Sequence, residues 1–460
     1  MGCGNKELLA LYPSPSTLYP FFYALSALDK IFIYAKNMYR VMKVIKLLAA
    51  LVLLLPLSGG VVFCASAHNL GSSPPRFDST IMLQGFNWSS WKTSPWWNIV
   101  ESKAGDMSQA GINLVWLPPS SDSASDEGYL PRRLYTQDSR YGSSAELTSA
   151  ITALHAKGVK VIADIVVNHR VGTGNWADFT DPAWGPESVC SDDEWAQGKG
   201  AADTGKGVPF ARDLDHTNAA VRKAITAWLA WLRASIGYDG WRYDFARGYG
   251  SKYMLMYNKA TKPAFAVAEI WDDLDLNNTD PHRQALTDWM DSVGGEIKVF
   301  DFTTKGILQQ AVASGEYWRL KDAGGRPSGL IGWWPDNAVT FVDNHDTTVE
   351  ASSSKSWPFP SDKVIQGYAY ILTHPGIPCV FWSHFFDWGL KNEITKLAGI
   401  RKTLGITSSS NVNIVHASQD IYAAVIDNKL AVKLGYQSWD PGSGWSLSVQ
   451  GNGYKVWSKK

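Results

Sequence analysis

From Ile81 onward the chain alternates short, nearly uninterrupted apolar runs with amphipathic stretches, and this rhythm limits the folds open to it. The runs are 81–86 (IMLQGF), 114–119 (LVWLPP), 159–167 (VKVIADIVV), 240–245 (GWRYDF), 264–270 (AFAVAEI), 298–302 (KVFDF), 338–343 (AVTFVD) and 377–382 (IPCVFW). Strands of a parallel sheet covered by helices on both faces read this way. Two intervening helices are well marked. Ser143-Ser144-Ala145-Glu146 has the form of a capping box, with Leu147, Ile151 and Leu154 on one face and Gly158 as the stop. Val221, Ile225, Leu229, Leu232 and Ile236 form a second helical stripe closed by Gly237. Eight strands interleaved with helices predict an α/β chain folded as a (β/α)8 barrel. A doubly wound open sheet would share the rhythm, but no G-x-G-x-x-G turn follows the first run.

The barrel is expected over 78–167 and 216–401, with two segments outside its rhythm. Residues 168–215, rich in Gly, Asp and Trp, form a long excursion after the third strand, and a loop of that length is usually functional. Residues 402–460 lose the helical period. Their short alternating runs IYAAVI, KLAVKLG and YKVWS predict a small C-terminal antiparallel β-sheet domain. At the other end, residues 42–67 combine Lys43 and Lys46, an apolar run from Leu47 to Leu57 and an Ala65-Ser66-Ala67 cleavage site. That is the pattern of a secretory signal peptide, with 1–41 as an upstream extension. Secretion is the localisation this predicts.

Lys+Arg and Asp+Glu both number 43, so the formal net charge is zero, which argues against a nucleic-acid partner. The 22 tryptophans are the compositional outlier; planar rings stack on the apolar faces of sugars, so the composition leans towards carbohydrate. Of four cysteines, Cys3 and Cys64 are N-terminal, which leaves Cys190 and Cys379 as one pair to test; a domain of this size can build its core without staples.

In a barrel, catalytic groups gather at the C-terminal ends of the strands. The polar residues of this chain cluster there. The third strand ends in Asp164 and Asn168-His169, the fourth carries Arg242 and Asp244 two residues apart on one face, the fifth ends in Glu269, and the seventh in Asn344-His345-Asp346. Carboxylates, histidines and an arginine on one rim, with no Ser or Cys nucleophile pattern, suit acetal chemistry. Any one such acid alone reads more simply as a loop cap; four strand ends together do not.

These segments carry a resemblance. DIVVNH (164–169), GWRYDFARG (240–248), AEIWD (268–272) and FVDNHD (341–346) resemble the four signature segments of the α-amylase family of glycoside hydrolases. QGFNWSSW (84–91), EGYLP (127–131), GWWP (332–335) and FPSDKVIQGYAYILTHPGIPC (359–379) resemble its plant-type members. The resemblance implies starch and related α-1,4-glucans as substrate and a retaining double displacement, with Asp244 as nucleophile, Glu269 as general acid/base and Asp346 as the third carboxylate. Nucleophile and acid should then stand about 5–5.5 Å apart. It further implies that Arg242 keeps Asp244 ionised, that His169 and His345 bind sugar hydroxyls, that Tyr129 stacks beneath the ring and that Trp271 lines the cleft. Trp333 and Trp334 resemble a surface starch-binding pair.

The resemblance also implies that 168–215 is a calcium-binding insertion, domain B. Asn168, Asp203 and Asp213 would supply side-chain ligands, and Lys206 and Gly248 backbone carbonyls, which suits a hard cation. Gly207 replaces an Asp of the relatives, and the loop after His169 is short, so one calcium is expected with room for a second and not a third. Tyr243 stands where the family usually has Leu. A debranching or transglycosylating relative and a catalytically inactive starch-binding protein are the rival readings. A monomer is expected.

Overall fold

The computed structural model describes residues 79–349, 351 and 356–460. The signal-peptide reading, Cys3 and Cys64 lie outside them. Eight strands, β1 (Met82–Gln84), β2 (Leu114–Leu117), β3 (Lys160–Ile165), β4 (Gly240–Tyr243), β5 (Phe265–Ala268), β6 (Lys298–Phe300), β7 (Ala338–Phe341) and β8 (Ile377–Phe381), form a closed barrel in sequence order. The pairing is parallel throughout and closes between β1 and β8 at Met82↔Cys379. Each apolar run thus contains one strand, and closure removes the edges that an open sheet would expose.

One helix follows every strand: α1 (Trp96–Gln109), α2 (Ser144–Ala156), α3 (Ala219–Trp231), α4 (Ser251–Thr261), α5 (Asp280–Ser292), α6 (Phe302–Ser314), α7 (Val364–Thr373) and α8 (Lys391–Leu404). The capping box of α2 is formed, with the Ser143 hydroxyl accepting from Glu146 N and the Glu146 carboxylate accepting from Ser143 N. The stripe of α3 is buried as read, but its last two members, Leu232 and Ile236, lie in a wider π-turn (Leu232–Ile236) that Gly237 ends at φ +102°.

The excursion between β3 and α3 contains little regular structure. A two-residue antiparallel pair, His169↔Asp213 and Arg170↔Arg212, ties its beginning to its end. Arg170, fully buried, supplies much of the missing order. Its guanidinium donates to the carbonyls of Arg132 (2.8 Å) and Pro182 (2.7 Å) and lies over the rings of Phe179 and Trp184. Buried loop carbonyls thereby find donors without a β-ladder.

Five antiparallel strands, β9 (Val412–Ser418), β10 (Ile421–Ile426), β11 (Leu430–Gly435), β12 (Trp445–Gly451) and β13 (Tyr454–Lys459), make the C-terminal sheet in the order β9-β10-β11-β13-β12. Its apolar face shares one continuous core with the barrel. At that junction the α7-terminal His374 bonds the Tyr422 hydroxyl (2.8 Å). Cys190 and Cys379 are both buried and free, so the pair does not form; one sits in the excursion and the other on β8. Among the described residues, no helix is long and apolar enough to cross a membrane.

Candidate active site

The ladder joining β3, β4 and β5 fixes the site. Asp164 on β3 stands opposite Arg242 on β4, and Tyr243 opposite Ala268 on β5. Backbone bonds continue past the strand ends, from Asp244 N to Ile165 O (3.1 Å), Glu269 N to Tyr243 O (3.0 Å) and Ala246 N to Glu269 O (3.1 Å). Asp244 and Glu269 are therefore held side by side by main chain, the most rigid support available.

Arg242 is buried and bridges three carboxylates. It contacts Asp244 Oδ1 (2.5 Å), Asp164 Oδ1 (2.9 Å) and Glu269 Oε1 (3.1 Å). Burial raises the pKa of Asp244 and of Glu269; the Arg242 charge opposes this in both, and the Asp244 charge raises Glu269 further. Asp164, the deepest of the three, is pushed up to about 7 by burial against the same Arg242 pull. One cation shared among three acids favours a mixed protonation state, as an acid and a nucleophile working together require. The other Glu269 oxygen accepts from Phe245 N (3.0 Å), and Phe245 adopts φ +41° to aim that N–H. A non-glycine residue at positive φ is strained, and strain beside the Asp244 carboxylate points to a functional constraint.

His345 and Asp346 enter from the loop after β7. The Tyr129 hydroxyl lies 2.8 Å from both Asp164 Oδ2 and His345 Nε2. With one proton, donated to Asp164, that hydroxyl accepts from His345 Nε2–H, and Nδ1 then accepts from the Gln84 amide (2.9 Å). Burial holds His345 well below the usual histidine range, consistent with this neutral tautomer. Asp346 Oδ2 lies 3.2 Å from His345 Nε2, and burial plus the Glu269 charge raise its pKa. His169 is also neutral, pushed down to about 4 by burial. Its Nε2 meets the Tyr129 carbonyl (2.9 Å) and its Nδ1 the Asn168 amide (3.3 Å), so both ring nitrogens have protein partners.

A cleft of about 300 Å³ opens over this floor, lined among others by Tyr129, His169, Asp244, Glu269, Trp271, His345 and Asp346. Trp271 stacks on Phe302 (5.1 Å) at its wall. Trp88, Phe210, Phe245 and Arg247 also line it. The sequence reading missed all four, although Trp88 lies within QGFNWSSW. Asp164 was legible at a strand end but had no role until its register opposite Arg242 was seen.

The proposed calcium ligands come together at the base of the excursion. Asp203 Oδ2 is buried with no hydrogen-bond partner. A Cβ on Gly207 would lie 2.8 Å from Asp213 Oδ2 and 3.7 Å from Asp203 Oδ2, so both carboxylates face one small space. Burial raises Asp203, and pushes Asp213 up to about 7 with help from the Asp203 charge. The neighbouring cation Arg212 pairs instead with Asp193 (3.2 Å) and Glu194 (2.7 Å). The Asn168 amide nitrogen is occupied by Asp213 Oδ1 (3.1 Å) and His169, while its oxygen abuts Gly248, where a Cβ would lie 2.0 Å away. Lys206 is tied to the same loop through its N–H to Arg247 O (3.0 Å). An unpaired buried Asp203 oxygen facing the Asp213 carboxylate suits a divalent cation. Among the described residues no group of three or more His, Cys, Asp or Glu is placed to hold a metal; the ligand set read here has two such side chains and draws the rest from an amide and carbonyls.

Trp333 and Trp334 are half-buried outside the cleft. Arg283 lies 3.9 Å from the Trp333 ring centroid, and Trp334 packs against the core. Tyr243 is buried, and its hydroxyl has no hydrogen-bond partner.

Known proteins share this architecture. Residues 97–192 match the α-amylase catalytic domain, and 403–458 the α-amylase C-terminal β-sheet domain. The chain is 45% identical over 395 residues to probable α-amylase 2 of Arabidopsis thaliana, covering 82% of this chain and 94% of that one. It is 43% identical to the chloroplastic α-amylase 3 of the same plant, covering 82% of this chain and 44% of that longer protein. An α-amylase structure from Malbranchea cinnamomea superposes with a TM-score of 0.63 over 84% of this chain and 98% of that one, at 16% identity, which speaks for the fold alone. The matched domains and these relatives show that the chain belongs to the α-amylase family, among its plant-type members.

Proposed function

We propose that this chain is an endo-acting α-amylase that hydrolyses α-1,4-glucosidic bonds of starch with retention. The observation that carries this reading is the single Arg242 guanidinium bound to Asp244 and Glu269 on adjacent strand ends at the floor of the cleft. Ionised Asp244 attacks the anomeric carbon as protonated Glu269 gives its proton to the departing glycosidic oxygen, leaving a covalent glycosyl-enzyme. Water then enters, Glu269 takes back a proton, and the ester to Asp244 breaks to release the sugar with a new hydroxyl. Asp346 holds sugar hydroxyls, His345 and His169, whose ring nitrogens have protein partners, line the same subsite, and Tyr129 lies beneath the ring. Its own hydrogen bonds to Asp164 and His345 keep Tyr129 in place.

Calcium, where bound, supplies cross-linking rather than chemistry. Asn168, Asp203 and Asp213, with the carbonyls of Lys206 and Gly248, would hold it and fasten the excursion to the loop after β4. Trp333 and Trp334 are proposed as a secondary starch contact, the protein as a monomer, and residues 42–67 as a secretory signal. One relative is named chloroplastic, so a fluorescent fusion of residues 1–78 should separate secretion from plastid import. The activity is tested by reducing ends released from soluble starch together with early loss of iodine colour. Release without loss of colour would indicate exo action, hydrolysis of pullulan α-1,6 bonds a debranching enzyme, and no release a binding protein.

A further inference from the structure

Phe210 is 52% exposed, the most exposed aromatic side chain lining the cleft. The segment that carries it is not loose. Val208 and Ala211 on either side are buried in a small cluster with Val171, against which Leu130 and Phe245 pack. Val208 N also donates to Asp213 Oδ2 (3.0 Å). An anchored backbone therefore presents about half of a phenyl ring to water on the rim, leaving apolar area unburied. One edge contact fixes its orientation, a T-shaped approach to His169 with centroids 5.5 Å apart and planes at 82°. That contact consumes only part of the ring and lies next to the subsite where the cleaved sugar is proposed to sit.

We propose that Phe210 is a specificity-determining residue, a stacking platform for a second glucose ring flanking the one being cleaved. This rests on the reading of the chain as an endo-acting glucan hydrolase. A pyranose offers an apolar face of C–H groups, and an anchored aromatic ring is the group suited to cover it at little entropic cost. Because Phe210 touches a neighbouring ring and not the reacting bond, its contribution should appear with oligosaccharides and vanish with a substrate that has no second ring.

The test compares maltoheptaose with α-D-glucosyl fluoride, whose single ring fills the cleavage subsite alone. Wild type must first release reducing ends from soluble starch; if it does not, the hydrolase reading fails and Phe210 is not at issue. Given that activity, Phe210→Ala and Phe210→Leu should each lower kcat/KM on maltoheptaose by about tenfold, mainly through KM, and leave glucosyl fluoride hydrolysis unchanged. Phe210→Tyr and Phe210→Trp should retain maltoheptaose activity within about twofold. Rescue by Phe210→Leu would overturn the proposal, since a non-planar apolar cover over His169 would then suffice. Equal losses on both substrates would assign Phe210 to positioning His169, and no loss would remove it from the binding surface; either result overturns the proposal.

Discussion

Arg242 sets the electrostatics of the site, and its effects are those of one residue. Its charge opposes the burial that raises both Asp244 and Glu269. In the proposed mechanism Asp244 must be ionised to attack, so the acidic limb of the pH–rate profile follows its pKa; Glu269 must be protonated, so the alkaline limb follows that of the acid. Replacing Arg242 by Gln should therefore move the acidic limb upward by about 1–3 pH units, with a large loss of rate at neutral pH. Arg242→Lys keeps the charge but cannot bridge three acids, and should give a smaller shift; an unmoved limb in the Gln variant would separate Arg242 from the nucleophile. Glu269→Gln keeps shape without a proton and should lower kcat on starch by about a thousandfold or more while leaving starch binding nearly intact. Asp244→Asn should be at least as damaging, and a fluorinated glycosyl inactivator should label Asp244; label on Asp346 would reverse the roles. Much of this site was legible at residue level because acids and histidines at strand ends announce themselves. The functions of Asp164 and Phe245 were not, because the first depends on cross-strand register opposite Arg242 and the second on a backbone angle.

Elements were legible in proportion to how strongly burial stamps their sequence. All eight barrel strands are buried almost throughout, so each shows as an apolar run. In the C-terminal sheet the inner strands β10, β11 and β13 were read from sequence, whereas β9 and β12 were not. Those two are the sheet edges, each mostly exposed, and β12 carries a bulge between Leu447 and Val449 that interrupts its alternation. The π-turn after α3 was equally silent, since one inserted residue leaves the apolar stripe intact. Helix α8 offers a direct test of local propensity. Gly399 lies in its interior, and a Cβ there would meet nothing within 4 Å. Gly399→Ala should stabilise the protein by about 0.5–1 kcal/mol with unchanged kcat. A lower melting temperature would show that this part of α8 has a partner or a strain not evident in the helix.

At the scale of the whole molecule, the excursion 168–215 must be held to the barrel rim, because Asn168 directly precedes His169 and Gly248 follows Asp244 by four residues. The protein's own bonds there include a two-residue strand pair, the Arg170 carbonyl contacts, Leu134 N to Asp181 O, Val171 N to Pro131 O, Gly250 N to Thr204 Oγ1 and the N–H of Lys206 to Arg247 O. Against them stands the mutual repulsion of Asp203 and Asp213, both raised in pKa and neither in a salt bridge among the described residues. A calcium ion would turn that repulsion into cross-linking, and binding to the folded state alone adds about 4 kcal/mol at a thousandfold excess over Kd. Chelation should lower both melting temperature and activity, and added calcium should restore them. Because ionised carboxylates are the ligands, the protection should fade as pH falls through the raised pKa of Asp213, near 7 without the ion and lower with it. Gly248→Ala would drive a Cβ into Asn168 Oδ1, so it should shrink the chelator-dependent drop in melting temperature as well as the starting value. With Gly207 in place of an acid, elemental analysis of the purified protein should find one tight calcium and at most one weaker. Three tight ions, or melting that ignores the chelator, would mean that the excursion is fastened by something other than this cluster.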